Sequence, residues 1–163
     1  SDIMKYSIPL ISHDLLYKEH AGFFGSRLEP IPLCEQFKSV MEKRNVSRTD
    51  LQEMTGLSPQ KIGTILSMKD GEEPGHGVRR DYIYAVMIAL RMDTCDYLDV
   101  MSYFHYAFGG SYYKVHERDW YARYFVEHSS TVEECTVANC NKALIEAGFE
   151  PLTDLLPDSE ENA

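Results

Sequence analysis

Gln60, Lys61, Thr64 and Ser67 lie within one short stretch, Pro59-Gln60-Lys61-Ile62-Gly63-Thr64-Ile65-Leu66-Ser67. At helical spacing, Gln60, Thr64 and Ser67 share one face with Lys61 on its flank, while Ile62, Ile65 and Leu66 occupy the opposite face. The apolar side belongs in a core, and no core needs the polar row. Its donors and acceptors suit the base edges of a DNA major groove. Glutamine bonds adenine bidentately, lysine reaches guanine or a phosphate, and a threonine methyl meets that of thymine.

Two helices and a tight joint must position that row. Ser47 is a good N-cap for a helix over 48–55, with Asp50 in its first turn where the helix dipole favours a carboxylate. Gly56 can take the left-handed backbone that ends a helix. Ser58 and Pro59 start the next helix at once, as N-cap and first helical residue, and the pattern predicts that it runs over 59–68. Leu51 and Leu57 supply apolar partners for Ile62, Ile65 and Leu66. Helix, glycine turn, helix is the helix-turn-helix pattern.

On these residues, the stretch 33–101 resembles the phage-repressor (Cro/XRE-type) helix-turn-helix family. The resemblance implies a five-helix domain that binds double-stranded DNA in a sequence-specific manner, as transcription regulators do. Carried over by position, Arg48 resembles the phosphate contact that opens the family's second helix. Gln60, Lys61 and Thr64 fall where the family reads bases. Ser58 and Lys69 would hold phosphates. Two positions depart from the pattern: Gln52 stands where the family carries a small residue, and the loop after the reading helix is Asp70-Gly71-Glu72-Glu73.

The charge balance qualifies the partner. The 163 residues carry a formal charge of −10, which opposes phosphate binding at long range. The acidity lies mostly outside the motif: residues 33–70 hold six Lys/Arg against five Asp/Glu, and residues 71–163 hold seven against seventeen. A segment so close to neutral is weak for DNA when alone, which favours a homodimer, a modest affinity or another partner. The four cysteines, Cys34, Cys95, Cys135 and Cys140, lack the spacing of structural zinc, so free thiols in a reducing cytoplasm are expected and no metal or cofactor is. No apolar run reaches the length of a membrane helix, and the expectation is a cytoplasmic protein without a signal peptide. Phosphate loops, H-E-x-x-H and nucleophile elbows are missing, so the expectation is not an enzyme.

The expected fold is all-α: an N-terminal arm over 1–32, a helix-turn-helix domain over 33–110, a helical-hairpin extension over 111–156, and a disordered acidic tail over 157–163. In the arm, Phe23 and Phe24 stand among glycines; they either pack on the body or swap onto a second subunit. The first firm helix covers 33–43, with Phe37, Val40 and Met41 inward. His76 lies in a glycine-rich loop and is expected to be solvated. The helix ending at Leu90, apolar nearly all round, is expected to be buried. The extension echoes what precedes it, Arg80-Asp81-Tyr82 recurring as Arg118-Asp119-Trp120. Its first helix carries Trp120, Tyr121, Tyr124 and Phe125, a cluster expected in the core. Its second is expected to open at Thr131-Val132-Glu133-Glu134, a capping-box pattern, with Ala138, Leu144, Ile145 and Ala147 inward. Tyr103, Tyr106, Tyr112, Tyr113 and Tyr121 are more tyrosines than one small core hides, which points to a dimer or partner surface. The alternative to DNA binding is a protein-interaction module or inhibitor, with the helix-turn-helix as scaffold and an acidic, tyrosine-rich helical surface as the working face.

Overall fold

The computed structural model describes residues 33–68, 80–103 and 117–158, and every regular element among them is an α-helix. They are α1 (Leu33–Arg44), α2 (Arg48–Thr55), α3 (Pro59–Leu66), α4 (Arg80–Ala89), α5 (Thr94–Tyr103), α6 (Glu117–His128) and α7 (Val137–Glu146). The arm with Phe23 and Phe24, Lys69, the acidic loop with Glu72, Glu73 and His76, the tyrosines 106, 112 and 113, and tail residues 159–163 lie outside the described residues. No described helix is long and apolar enough to cross a membrane.

The boundaries follow from local backbone chemistry. Ser47 accepts from the Asp50 N–H at 3.0 Å while the Asp50 carboxylate accepts from the Ser47 N–H at 2.9 Å, a reciprocal cap that satisfies two orphan donors of α2. Gly56, at φ 77°, ends α2 by donating its N–H to the Gln52 carbonyl at 2.8 Å. The Ser58 hydroxyl caps α3 by accepting from the Lys61 N–H at 3.3 Å. α3 is shorter than the expected 59–68: it ends at Leu66, Ser67 is its C-cap, and Met68 turns into the core.

α4 is the centre of the molecule. Every residue from Ile83 to Leu90 is buried, and the helix packs against α2, α6 and α7, which is why its sequence is apolar all round. One continuous core runs from Leu33 through Ile65, Met87 and Leu144 to Leu152, so residues 117–158 are built into the same body as α1–α3. The Arg-Asp echo has a physical counterpart here. Arg118 forks onto both Asp81 carboxylate oxygens at 2.9 Å, and the Tyr84 hydroxyl donates to Asp119 at 2.9 Å. Each pair ties α4 to α6 with a half-buried, charge-assisted bond.

Three expectations for the C-terminal helices need correction. Thr131–Glu134 do not open a helix: α7 starts at Val137, capped by Thr136, whose hydroxyl accepts from the Asn139 N–H at 3.1 Å. The carbonyls upstream are taken by Arg91, whose guanidinium binds those of Ser129, Val132 and Glu133 at 2.8–3.2 Å and holds the segment open. The aromatic cluster of α6 is split: Tyr121 and Phe125 are half-buried and pack against the core, as expected, while the other two rings do not. Ala122 and Val126 face inward, whereas Trp120 and Tyr124 are each 53% exposed. In α7 the inward residues are Val137, Cys140, Asn141 and Leu144, and Ile145 points out. The four thiols are free, with Cys135 and Cys140 buried, Cys34 half-buried and Cys95 exposed.

Candidate nucleic-acid interface

The surface of interest is the outward side of α3 with the start of α2. Ile62, Ile65 and Leu66 are fully buried against α1 and α2, each contributing roughly 1.5–3 kcal/mol of apolar burial, and this fixes the rotation of α3 about its axis. The polar row must then face out. Gln60, Lys61, Thr64 and Ser67 are all exposed, as is Arg48 at the first position of α2. Ser58 is half-buried at the head of α3, its oxygen engaged as the N-cap.

The side chains in the row are not equivalent. Thr64 Oγ1 donates to the Gln60 carbonyl at 2.9 Å, and Ser67 Oγ donates to the Gly63 carbonyl at 2.7 Å. Their hydroxyls are turned back onto the helix. Lys61 Nζ donates to the Tyr82 hydroxyl at 3.0 Å and lies 4.6 Å from the centroid of that ring. A contact of this type is worth about 0.5–1 kcal/mol at an exposed site and directs the lysine toward α4, along the flank of α3. Lys61 is therefore better placed for a phosphate than for a base edge. Gln60 is the long, bifunctional side chain of the outward row. No carboxylate lies on α3. On α2, Asp50 is occupied in the cap, where the Ser47 backbone N–H holds its carboxyl below the usual range, and Glu53 is exposed.

Sequence reading did not find what anchors the joint between α2 and α3. Thr55 is buried; its hydroxyl donates to the Leu51 carbonyl at 2.6 Å and accepts from the Leu57 N–H at 3.1 Å, stitching the turn. The segment after α7 then closes over it. Thr153 Oγ1 donates to the Thr55 carbonyl at 2.6 Å, and Leu155 packs so closely that a Cβ on Gly56 would stand 2.8 Å from the Leu155 Cβ. Asn141, on α7, holds this strap. Its amide oxygen accepts from Leu152 N–H at 2.8 Å and Thr153 N–H at 3.2 Å, and its nitrogen donates to Thr153 Oγ1 at 2.9 Å and the Leu155 carbonyl at 2.8 Å. Asp154 and Asp158, which precede and follow Leu155 in the strap's sequence, are exposed. Polar residues Thr55, Asn141 and Thr153 lie in otherwise ordinary helix and loop patterns, so the only signal was their position between apolar neighbours.

Among the described residues no group of three or more His, Cys, Asp or Glu side chains is arranged to hold a metal ion. Comparison of the chain with protein-family models, with curated proteins and with solved structures returned no match.

Proposed function

We propose that this protein binds double-stranded DNA in a sequence-specific manner and serves as a transcription regulator of the XRE type. In this reading α2 and α3 act as a helix-turn-helix, and α3 lies in the major groove. One observation carries it: the face of α3 opposite the core is an exposed row of Gln60, Thr64 and Ser67, flanked by lysine and free of carboxylates. Gln60 reads a base, Thr64 presents its methyl, and Arg48, Ser58 and Lys61 hold the backbone, with Lys69 following α3 in sequence. Near-neutral charge over 33–70 makes one copy a weak ligand, so a homodimer spanning two half-sites about 34–36 Å apart is part of the proposal.

The test is selection from a pool of random duplexes over a salt series, repeated with Gln60→Ala and Lys61→Ala. An enriched motif with steep salt dependence is expected. Gln60→Ala should relax specificity at one base pair at a cost of about 1–3 kcal/mol, and Lys61→Ala should weaken all duplexes alike and reduce the salt slope by about one. No binding at low salt would refute the reading.

A protein-interaction role is favoured by a separate feature, the exposed Trp120 and Tyr124 one turn apart on α6, with the His128 ring tilted at 47° against Tyr124, 4.4 Å between centroids. Exposed aromatics of this size mark interaction surfaces. Replacing both by Ala should abolish self-association or partner capture while leaving duplex binding by the monomer intact.

A further inference from the structure

Gly63 sits in the interior of α3, yet nothing among the described residues asks for glycine there. Its backbone is helical, with no positive φ of the kind found at Gly56 and Gly148. Beyond its own helical backbone and chain neighbours, an ideal Cβ built on it meets no atom of the described residues within 4 Å. Alanine would fit, and it is the better helix former because it surrenders less backbone entropy on folding. The same test at Gly56 gives the contrary answer, where left-handed φ and the Leu155 contact both demand glycine.

The place of the missing side chain suggests what uses the space. About the α3 axis, Gly63 lies about 60° from Gln60 and about 40° from Ser67, on the side away from Lys61. One flank of the outward row thus carries a cation, and the other carries bare backbone. A B-DNA major groove is about 12 Å wide, and an α-helix with its side chains is about 10–12 Å across. The fit leaves almost no slack, so one Cα–Cβ bond of about 1.5 Å on a flank decides how near the helix comes to a sugar–phosphate wall.

We propose that Gly63 is a positioning residue for nucleic-acid docking: its bare backbone lets α3 seat against one sugar–phosphate strand while Lys61 faces the other. This rests on the DNA reading above and adds to it a contact that sets depth and tilt in the groove without reading sequence. It separates two properties that a purely structural glycine would move together.

The experiment compares the full chain with Gly63→Ala and Gly63→Leu, using thermal unfolding and binding to the duplexes selected by the unaltered protein. Gly63→Ala should raise Tm by about 3 °C. It should nevertheless weaken every duplex about tenfold, Gly63→Leu should weaken them further, and the salt slope should shrink as phosphate contacts are lost. If both variants stay folded and bind as tightly as the unaltered chain, the close-approach role is wrong while the DNA reading stands. If the loss is confined to one base pair, Gly63 affects readout and the proposal is equally overturned. Failure of the unaltered chain to bind any duplex at low salt removes the DNA reading itself, and this proposal with it.

Discussion

Replacing Asn141 by Ala is the sharpest perturbation available for the architecture that holds the joint between α2 and α3. Asn141 is 0% exposed and makes four hydrogen bonds, three of them to backbone groups of the strap. Alanine leaves the Leu152 and Thr153 amides and the Leu155 carbonyl without that partner. A buried polar group left unsatisfied costs about 1–3 kcal/mol. Leu155 is only half-buried, so water can reach its carbonyl and the sum is not fully realised. The expected loss is about 3–4 kcal/mol, near the upper end for a single substitution. The measurement is urea unfolding at constant m-value, with amide hydrogen exchange read at Leu152, Thr153 and Leu57. Exchange should accelerate at all three, because Thr153 no longer arrives correctly at the Thr55 carbonyl and the turn loses its cover. As a control, Asn139→Ala removes only an exposed bond to the Glu134 carbonyl and should cost well under about 1 kcal/mol. If Asn141→Ala costs less than about 1 kcal/mol and the Leu57 amide keeps its protection, the strap is not what secures the turn.

Gly56→Ala should destabilise by about 2–4 kcal/mol, since a left-handed backbone costs an L-residue about 1–2 kcal/mol and the new Cβ meets Leu155 as well; a chemical denaturation midpoint equal to that of the parent would refute this. Ser47→Ala should cost about 1 kcal/mol near neutral pH through loss of the cap. The Ser47 backbone N–H, which alanine keeps, and the Ser47 side chain, which it loses, both lower the Asp50 pKa in the folded state. The side-chain part is complete above the unfolded pKa and fades as pH falls through the folded one. The gap between variant and parent should therefore narrow in acid, and a gap that widens below pH ~4 would contradict the sign. Burial pushes the Cys140 thiol up to about 12, and burial likewise raises Cys135, so neither should be alkylated in the native state. Cys95, exposed but raised by desolvation and by Asp93, Asp96 and Asp99, should react measurably and faster with increasing pH; labelling of Cys140 at the Cys95 rate, read by mass spectrometry, would overturn the burial argument.

The joint between α2 and α3 was legible in the chain because its causes are short-range. A serine whose oxygen caps three residues on, a glycine at a helix end, a proline at a first turn and an apolar spacing of three and four residues act within a single turn of helix. The same holds for the burial of α4 from Ile83 onward, where an uninterrupted apolar sequence leaves no solvent face. The outward direction of Gln60 followed directly, since Ile62, Ile65 and Leu66 can only face one way.

What the tertiary structure decided depends on partners far away in the chain. Thr153 meets Thr55 across 98 residues, Arg118 meets Asp81 across 37, and Arg91 collects carbonyls 38–42 residues on. A polar side chain does not announce its distant partner, so Asn141 looked like any residue of an amphipathic helix. Half of the aromatic cluster of α6, Trp120 and Tyr124, failed for a related reason: hydrophobicity says that a ring prefers burial, while the neighbours decide which face is covered, and here Tyr121 and Phe125 pack on the core. The small residues Ala122 and Val126 took the inner side of α6, and Trp120 and Tyr124 were left outside. Sequence thus determined the turn from α2 to α3, because those energies are local, whereas the start of α7 was set by the distant Arg91. Only the assembled fold determined that the C-terminal strap belongs to the helix joint, because a hydrogen bond between distant segments forms only after packing has brought them together.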